Sequence, residues 1–371
     1  MPKKLMLAGG GHAHMMVLAN LHRFAEKGYE VAVIQPSPFH YYSGMGPGML
    51  GGTYSPEEIR FATKHAVEKQ GCRFVRDKVI QVDPERKTLH LESGESLPYD
   101  IVSFNVGSYV PQSIISDQAD NIFTVKPIES LKKAQQKILE HASAEKIKIA
   151  VVGGGASAVE IAGNAWALTN KPGMHPAEIK IFARSTLMAH FPQQVRVKAI
   201  RSLTGRNIEI VEHCLVSAIK NGRIEQESNR TFDADVIFVA VGVRPSPLFK
   251  KSGLTVGPDG GLLVNRYLQS VDHPDIFGGG DCIYFKDRPL DKVGVYAVRE
   301  NPVLLHNLMA SLEEEELMEF DPGGGYLLIF NLGDGTGIFR KNFLHFNGRP
   351  AFWLKDYIDR KFMKKFQAIE L

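Results

Sequence analysis

The stretch LMLAGGGHAH, residues 5–14, joins a short apolar run to three glycines and to a segment, residues 15–24, with the apolar spacing of a helix. Gly9 and Gly11 lack a Cβ, so the backbone can turn sharply there and approach another group closely. The first N–H groups of the following helix have no partner within it and carry a partial positive charge. The stretch therefore predicts a strand, a turn and a helix that bind a pyrophosphate. An ordinary strand-to-helix turn is the alternative.

This first turn departs from the dinucleotide fingerprint G-x-G-x-x-G/A, because His14 stands at the third small position. A second departure follows the next apolar strand, residues 30–34, where Gln35 and Pro36 stand in place of the ribose-binding acid. A neutral amide can bond a ribose hydroxyl, although less strongly than a carboxylate does. A plain loop residue is the alternative for Gln35.

A second glycine turn carries the whole fingerprint within IKIAVVGGGASAVEIAG, residues 147–163. Gly153, Gly155 and Ala158 have the required spacing, with a strand before them and an amphipathic helix after. Two such turns predict two nucleotide-binding units. In the second unit the next strand ends without an acid at Arg184, which can pair with a 2′-phosphate or be an exposed arginine without a role. NADH and NADPH both stay open.

Three other stretches predict contacts with a ligand. YDIVSFNVGS, residues 99–108, and DADVIFVAVGVRP, residues 233–245, share one design: an aspartate, a buried strand and a glycine. DIFGGGDC, residues 275–282, puts Asp281 directly after a strand, where its carboxylate can accept hydrogen bonds from ligand hydroxyls. FHYYSGMGPGMLGG, residues 39–52, is too rich in glycine for a helix and predicts backbone against a flat ligand, with a packed surface loop as the alternative.

The composition excludes several classes of protein. The 371 residues suit two or three domains, and a net charge of +3 gives no field that favours nucleic acid. The three cysteines are far apart and form no C-x-x-C pair, so we expect a reducing cytoplasm and no metal. The sequence contains no apolar run near the roughly 18 residues of a spanning helix, so we expect neither secretion nor a membrane span.

The tail predicts a hairpin at residues 326–347 and an amphipathic helix at residues 353–366. Leu354, Ile358, Phe362 and Phe366 make one helical stripe beside lysines and an arginine. This composition suits a helix that lies on anionic lipid, and a helix that docks its stripe on its own protein is the alternative.

In this order, the two glycine turns, NVG at 105–107, VGVRP at 241–245 and GD at 280–281 resemble the pyridine nucleotide–disulfide oxidoreductase superfamily, with FAD in the first unit and NAD(P)H in the second. Four stretches resemble one subgroup, the flavoprotein module fused to selenide water dikinase: GGGHAH at 9–14, YSGMGPG at 42–48, GVYAVR at 294–299 and WLKDYIDRKFM at 353–363. That subgroup is related to type II NADH dehydrogenases and sulfide:quinone reductases.

The resemblance implies an α/β fold with two Rossmann-like, three-layer dinucleotide-binding domains, the second inserted in the first, and a small α+β C-terminal domain. The FAD-binding domain would comprise residues 1–112 and 270–312, and the NAD(P)H-binding domain residues 113–269. Residues 313–371 would form the C-terminal domain with its amphipathic helix.

The resemblance also implies the site residues. Glu160 would lie close to the nicotinamide and is the expected catalytic residue. The expected FAD-binding residues are Gly9, Gly11, His12, Ala13, His14, Gln35, Pro36, Ser43, Gly44, Pro47, Val79, Asn105, Val106, Gly107, Gly280, Asp281, Tyr296 and Ala297. The expected NAD(P)H-binding residues are Gly153, Gly155, Ser157, Ala158, Arg184, Val241 and Gly242.

The implied activity is transfer of electrons from NAD(P)H to FAD and then to an acceptor. Disulfide reductases and sulfide:quinone reductases need paired cysteines, which this sequence lacks, so we expect a non-disulfide acceptor and first of all a quinone. A soluble reductase of a small-molecule or protein acceptor is one alternative, and a flavin-binding regulatory or partner protein in selenium metabolism is another. We expect a cytoplasmic location, and contact of residues 353–366 with the inner face of the membrane stays open.

Overall fold

The computed structural model describes residues 2–117 and 119–370. The strands are β1 Lys4–Ala8, β2 Glu30–Ile34, β3 His40–Tyr41, β4 Arg60–Phe61, β5 Arg73–Val75, β6 Val79–Asp83, β7 Thr88–Leu91, β8 Ser96–Pro98, β9 Ile101–Phe104, β10 Ser108–Tyr109, β11 Ile122–Thr124, β12 Lys148–Val152, β13 Glu178–Phe182, β14 Glu209–Val211, β15 Val216–Lys220, β16 Arg223–Gln226, β17 Thr231–Asp233, β18 Val236–Val239, β19 Arg244–Pro245, β20 Leu262–Val264, β21 Ile276–Gly278, β22 Ile283–Phe285, β23 Leu328–Asn331, β24 Gly337–Lys341 and β25 Leu344–Gly348. The α-helices are α1 Met15–Leu18, α2 Leu21–Glu26, α3 Gly46–Leu50, α4 Thr63–Lys69, α5 Glu129–Ala142, α6 Ala156–Thr169, α7 Gln193–Thr204, α8 Leu248–Lys251, α9 Gly294–Glu313 and α10 Arg349–Gln367. Short 3₁₀ turns cover His12–His14, Ser43–Met45 and Gly280–Cys282.

The first glycine turn follows the central strand of a five-stranded parallel sheet. The strand order is β5-β2-β1-β9-β21, and β1 pairs with both β2 and β9. Strands buried on both faces read as continuous apolar runs, which explains the sequence of residues 5–8. The edge strand β21 comes much later in the chain than its partner β9, so a long segment stands between the two.

The second glycine turn follows the central strand of another five-stranded parallel sheet. Its order is β14-β13-β12-β18-β11, and β12 occupies the position that β1 has in the first sheet. Helix α6 starts directly after the turn, as the fingerprint predicts. These two sheets confirm the predicted α/β fold with two Rossmann-like units.

The predicted domain boundaries stay a prediction, and the contacts of residues 246–269 favour an earlier return to the first unit. Strand β20 lies in the range predicted for the second unit, yet it pairs in parallel with β22. The Ser252 hydroxyl accepts a hydrogen bond of 2.9 Å from the backbone N–H of Val82 in β6. A boundary near residue 245 instead of 269 fits these contacts better.

One local prediction differs from the structure. The helix predicted over residues 15–24 is broken between α1 and α2, where the Asn20 side-chain amide donates to the Met16 carbonyl at 2.8 Å and competes with the helical ladder.

The strands between residues 73 and 98 fall into two groups. Strand β5 joins the first parallel sheet, whereas β6, β7 and β8 form an antiparallel ribbon.

The hairpin predicted in the tail is present as β23, β24 and β25, and it packs on α6 through backbone-to-backbone contact. A Cβ at Gly163 would lie 2.2 Å from the Leu332 carbonyl oxygen, and a Cβ at Gly333 would lie 2.1 Å from the Gly163 carbonyl oxygen. Gly333 also has a φ of +85°, which side chains disfavour. Two glycines thus let the C-terminal segment touch the second unit.

We expect Gly163→Ala to lower the free energy of unfolding by about 1–3 kcal/mol, because the added methyl group forces two backbones apart. Urea unfolding followed by circular dichroism measures the change. Gly324→Ala is the control, since a Cβ at that position meets no described atom within 4 Å. Equal stability of both variants would contradict the close contact.

Candidate functional site

The carboxyl ends of both parallel sheets border one cavity of about 630 Å³. This is the edge at which open parallel sheets bind ligands. Many of the predicted site residues line it: Gly9, Gly11, His12, Gln35, Pro36, Ser43, Gly44, Pro47, Val79, Asn105, Val106, Gly107, Ser157, Glu160, Gly242, Gly280, Asp281 and Ala297. The cavity therefore brings together residues from the first glycine turn, from helix α6 after the second turn and from the segment 43–47.

The other predicted residues lie outside the cavity wall. Ala13 and His14 are buried in the core, and Tyr296 lines a small neighbouring cavity. Gly153, Gly155 and Ala158 belong to the second turn and its helix, while Arg184 and Val241 are exposed. Arg184 directly follows Ala183 at the end of β13, so it stands at the same sheet edge as the second turn.

The first glycine turn presses against the end of β9. Gly9 has a φ of +91°, and a Cβ there would lie 2.3 Å from the Asn105 carbonyl oxygen. A Cβ at Gly11 would lie 1.8 Å from the Asn105 side-chain oxygen. The Asn105 backbone thus excludes a side chain at Gly9, and the Asn105 side chain excludes one at Gly11. The turn that these glycines allow leaves its backbone open to a ligand.

His14, the departure from the fingerprint, is part of the support of this turn. Its two ring nitrogens hydrogen-bond the Gly9 carbonyl at 2.6 Å and the Ser103 hydroxyl at 2.8 Å. The side chain is fully buried, and burial lowers its pKa to about 4, so the ring is neutral near pH 7. The fingerprint has a small residue at this position, which lets the helix pack closely on the strand. In this protein the His14 imidazole instead joins the turn to β9 by hydrogen bonds.

Gln35, the second departure, also supports the turn. Its side-chain oxygen accepts from the Gly10 N–H at 2.9 Å, and its amide nitrogen donates to the Ser37 and Phe39 carbonyls at 2.6 and 2.9 Å. A carboxylate has no hydrogen to donate to those carbonyls, which explains the amide at this position. The amide N–H groups of Gln35 are both in use, so a ribose hydroxyl could bond Gln35 only by donating to its side-chain oxygen, which has a second lone pair.

Asp281 has two partners that the sequence did not reveal. The Lys126 ammonium lies 2.5 Å from its carboxylate, and the Ser108 hydroxyl lies 2.6 Å from the same oxygen. Burial acts against ionisation, but Lys126 and Ser108 outweigh it and lower the pKa of Asp281. Lys126 stands after β11 in a segment without a motif, and Ser108, at the end of the stretch 99–108, had no predicted role of its own.

Glu300 is a further residue that the sequence analysis missed. The signal that could have identified it is an acidic residue within the otherwise apolar helix α9. Its carboxylate accepts from the backbone N–H of Gly280, directly before Asp281. Burial raises the pKa of Glu300 to about 7, and the Gly280 bond opposes this shift. Glu300 thus orients the turn that carries Asp281.

Glu160, the predicted catalytic residue, lies in the cavity wall on α6. Its carboxylate accepts from the Asn331 N–H at 2.8 Å. Burial raises its pKa to about 7, while Lys355 and the Asn331 bond lower the pKa and Asp359 raises it further. A carboxyl group with this pKa can hold or release a proton near neutral pH.

Helix α10 contacts the cavity through polar side chains, contrary to the predicted apolar stripe. Lys355 donates to the Gly44 carbonyl at 2.8 Å and pairs with Asp359 at 2.6 Å, while the Tyr42 hydroxyl donates to Asp359 at 3.0 Å. Lys355 and Asp359 are both buried. These bonds tie the helix to the segment 43–47.

Of the predicted stripe, only Phe366 is buried, whereas Leu354 and Phe362 are half-buried and Ile358 is exposed. The helix therefore docks on its own protein through a face rotated from the predicted one. This rotation leaves Trp353 and Tyr357, each 63% exposed, on the outer side.

A family model of pyridine nucleotide-disulphide oxidoreductases matches residues 3–307. The chain belongs to this family. It is 24% identical over its whole length to a type II NADH:quinone oxidoreductase of Staphylococcus saprophyticus, of which it covers 97%.

Two solved structures of the same fold are similar over 99% of the chain. One is NDH2 from Plasmodium falciparum in complex with NADH, with a TM-score of 0.79, 16% identity and 98% of that chain covered. The other is the sulfide:quinone oxidoreductase from Aquifex aeolicus, with a TM-score of 0.78, 17% identity and 92% covered.

Membership in the family confirms the predicted oxidoreductase class, with FAD as cofactor and NAD(P)H as substrate. The resemblance to the module fused to selenide water dikinase stays a prediction. The cavity fits FAD, since Gly9 and Gly11 of the first turn leave no room for side chains and Asp281 offers a carboxylate to ligand hydroxyls. Two buried ring nitrogens, Nε2 of His12 and Nε2 of His40, have no partner among the described residues.

We expect Gly155→Ala to raise the KM for NAD(P)H about tenfold without loss of flavin or stability, because the methyl group stands where the pyrophosphate approaches the helix start. A Cβ at Gly155 meets no described atom within 4 Å, so the fold itself tolerates the change. Steady-state kinetics, flavin content and thermal unfolding measure the three effects. Gly11→Ala is the comparison variant: it clashes with Asn105 and should lose both flavin and stability. An unchanged KM in Gly155→Ala would remove this turn from nicotinamide binding.

Proposed function

We propose that this protein transfers electrons from NAD(P)H through FAD to a quinone. The observation that carries the proposal is the single cavity bordered by the first turn, by Ser157 and Glu160 of the second unit, and by the segment 43–47 that α10 holds. The similarity to a type II NADH:quinone oxidoreductase, which spans the whole chain, supports the same acceptor.

FAD, when bound, accepts a hydride from NAD(P)H and delivers electrons singly or in pairs to an acceptor. The protein supplies position and charge. Because Gly9 and Gly11 have no side chain, the backbone of the first turn can approach a pyrophosphate closely. Gly153 and Gly155 allow the same approach in the second turn. Asp281 binds hydroxyl groups, and Glu160 faces the space between the two units. Holding both groups in one cavity removes much of the entropic cost of their encounter.

The cysteines favour an acceptor other than a disulfide. Within the part of the chain that the structure describes, Cys72, Cys214 and Cys282 are all buried and free. Cys282, beside Asp281, donates its thiol hydrogen to the Phe104 and Gly279 carbonyls, and burial raises its pKa to about 12. A buried thiol of this kind is a poor nucleophile.

Glu160 is proposed as the proton donor for the acceptor. Reduction of a quinone to a quinol takes up two protons as well as two electrons, so a side chain that is protonated near pH 7 and lies at the acceptor would assist the reaction. The pKa of Glu160, raised to about 7, meets this condition. Lys355 and Asp359 of α10 act on the pKa of Glu160, so charges of both signs lie near this carboxyl group.

The outer face of α10 supports contact with a membrane surface, from which a quinone is reached. Trp353, Tyr357 and Ile358 are exposed there, beside the exposed cations Lys361, Lys364 and Lys365. Aromatic residues next to lysines suit the interface of an anionic bilayer. Among the residues that the structure covers, no helix has the length and apolar character needed to span a bilayer.

The deciding experiment is anaerobic reduction followed by addition of an acceptor. We expect NADH or NADPH to bleach the flavin absorbance, and a water-soluble short-chain quinone to restore it within one turnover. Bleaching without restoration by quinone favours a small-molecule or protein acceptor, and a flavin that is not bleached favours the binding role.

In vesicles with a long-chain quinone, Trp353→Ser combined with Tyr357→Ser should slow oxidation of the reduced flavin, whereas the rate with the short-chain quinone should stay unchanged. Ile80→Ser, at another exposed apolar residue, is the control.

We expect Glu160→Gln to slow quinone reduction by about 100-fold, the usual contribution of a positioned proton donor, while flavin stays bound. In the parent protein the rate should fall as the pH rises through about 7, because the carboxyl proton is then lost. The variant should lack this pH dependence. Stopped-flow oxidation of the reduced protein measures both effects, and Glu140→Gln on the exposed face of α5 is the control. Rates equal to the parent's at every pH would exclude Glu160 from the mechanism.

A further inference from the structure

His12 and His40 place two unpartnered imidazoles at the wall of the cavity. His12 directly follows the first glycine turn, and His40 lies in β3, before the segment 43–47. Both line the cavity, and the Nε2 atom of each is buried without a hydrogen-bond partner among the described residues. A buried polar atom left without a partner costs about 1–3 kcal/mol, so this pair points to a ligand that supplies one.

The two rings are fixed by their surroundings. Their centroids lie 5.1 Å apart in an edge-on arrangement, with the Tyr42 ring 5.2 Å and the Phe362 ring 5.8 Å from His12. Phe362 is the group that α10 brings to His12, and it does not titrate. These contacts place the two imidazoles side by side next to the glycine turn.

Without a ligand, both imidazoles are neutral near pH 7. Burial lowers the pKa of His12 to about 4, with Asp281 raising it and Lys126 lowering it. Burial lowers the pKa of His40 to about 3, and His12 and Lys126 lower it further. The charged groups that act on the pair are thus Asp281 and Lys126, which form an ion pair with each other.

The other cations of the cavity already have carboxylate partners. Lys126 pairs with Asp281 at 2.5 Å and Lys292 pairs with Asp259 at 2.8 Å. Lys78 lies 3.8 Å from Glu92 on the exposed side. No arginine is among the described residues of the cavity wall. A dianionic pyrophosphate entering this cavity therefore meets two lysines that are already paired and one, Lys78, whose charge is screened by solvent, so the two buried imidazoles are the side chains left to balance its charge.

We propose that the side chains of His12 and His40 bind the pyrophosphate of FAD as a pair and take up a proton from solvent when it binds. This inference rests on the proposed use of FAD in this cavity. It adds a side-chain ligand, His40, and a regulation by pH to that site. One N–H bond forms from each ring to a phosphate oxygen, and one solvent proton converts one of the rings to an imidazolium.

The sign of the pH dependence follows from the pKa values. A neighbouring phosphate favours the imidazolium and raises the pKa above its free value of about 4. Above the raised pKa the affinity for FAD does not depend on pH. As the pH falls through the raised pKa the affinity increases, by up to about tenfold per unit, and the increase ends near the free pKa.

Titration calorimetry of the flavin-free full chain with FAD tests the proposal. Titrations in several buffers of different ionisation enthalpy, between about pH 5.5 and 8, give the number of protons taken up. We expect uptake that approaches about one proton per FAD at the acid end and declines toward the alkaline end. ADP-ribose, which has the two phosphates but no flavin, should show the same uptake.

His12→Asn and His40→Asn should each reduce the uptake, and the double variant should abolish it and lower FAD affinity about tenfold at the acid end. His90→Asn, in the antiparallel ribbon, is the control and should retain the uptake. Thermal unfolding of the flavin-free variants shows whether they fold. If they do not fold, the proton uptake of the parent protein with FAD and with ADP-ribose tests the proposal.

Three results would overturn the inference: no uptake by the parent at any pH, uptake with FAD but none with ADP-ribose, or full uptake by the double variant. If FAD binds and is bleached by NAD(P)H without proton uptake, the inference fails while the proposed function stands. If FAD does not bind at all, the proposed function fails as well.

Discussion

The architecture depends on the contact between the first glycine turn and the end of β9. Gly9 and Gly11 approach the carbonyl and side-chain oxygens of Asn105 so closely that no Cβ fits between them. The Asn105 amide also donates to the Gly279 carbonyl at 2.7 Å, so the same side chain joins the turn to the segment after β21. Residues from three distant parts of the chain are thereby fixed around one opening, and a displacement of any one of them would change the cavity.

The same contact explains why polar residues replace small or acidic ones around the turn. His14 hydrogen-bonds the Gly9 carbonyl and the Ser103 hydroxyl, and Gln35 hydrogen-bonds the Gly10 N–H and two later carbonyls. Asn301 of α9 acts similarly from the other side, since it accepts from the Met16 N–H and donates to the His12 carbonyl. A satisfied network of buried polar groups holds a turn in one conformation. In this protein, rigidity comes from side chains as well as from glycine packing.

The sequence predicted those parts of the molecule that follow from a repeated local pattern. Both glycine turns stand where two apolar strands end, and the fold follows from them because a turn of this kind needs a central strand and a helix. Asp281 was predicted because it closely follows a strand, and Glu160 was predicted from the resemblance to the family. Lys126 was missed because it belongs to no motif. His40 and Lys355 stand in quoted stretches, 39–52 and 353–363, but only tertiary contact shows that these two side chains reach the cavity wall or its Gly44 carbonyl.

The apolar stripe of α10 was misjudged for a related physical reason. Helical periodicity identifies the apolar face, but it does not tell whether a lysine and an aspartate one turn apart are solvated or paired in the interior. Lys355 and Asp359 are paired and buried, with Gly44 and Tyr42 as additional partners. Burying two charges is costly unless they are paired and hydrogen-bonded, and here both conditions are met. The hydrophobic rule therefore selected the wrong face.

Helix α10 consequently has two distinct faces with different roles. One face fixes the segment 43–47 and adjusts the pKa of Glu160, and the other presents Trp353 and Tyr357 to the surroundings. The bonds of Lys355 and Asp359 lie within one turn of these aromatic residues, so both faces belong to the same short stretch of helix. The helix thus connects the exposed aromatic face, which we propose as the contact with a membrane surface, to Glu160, the group proposed to supply the proton of the acceptor.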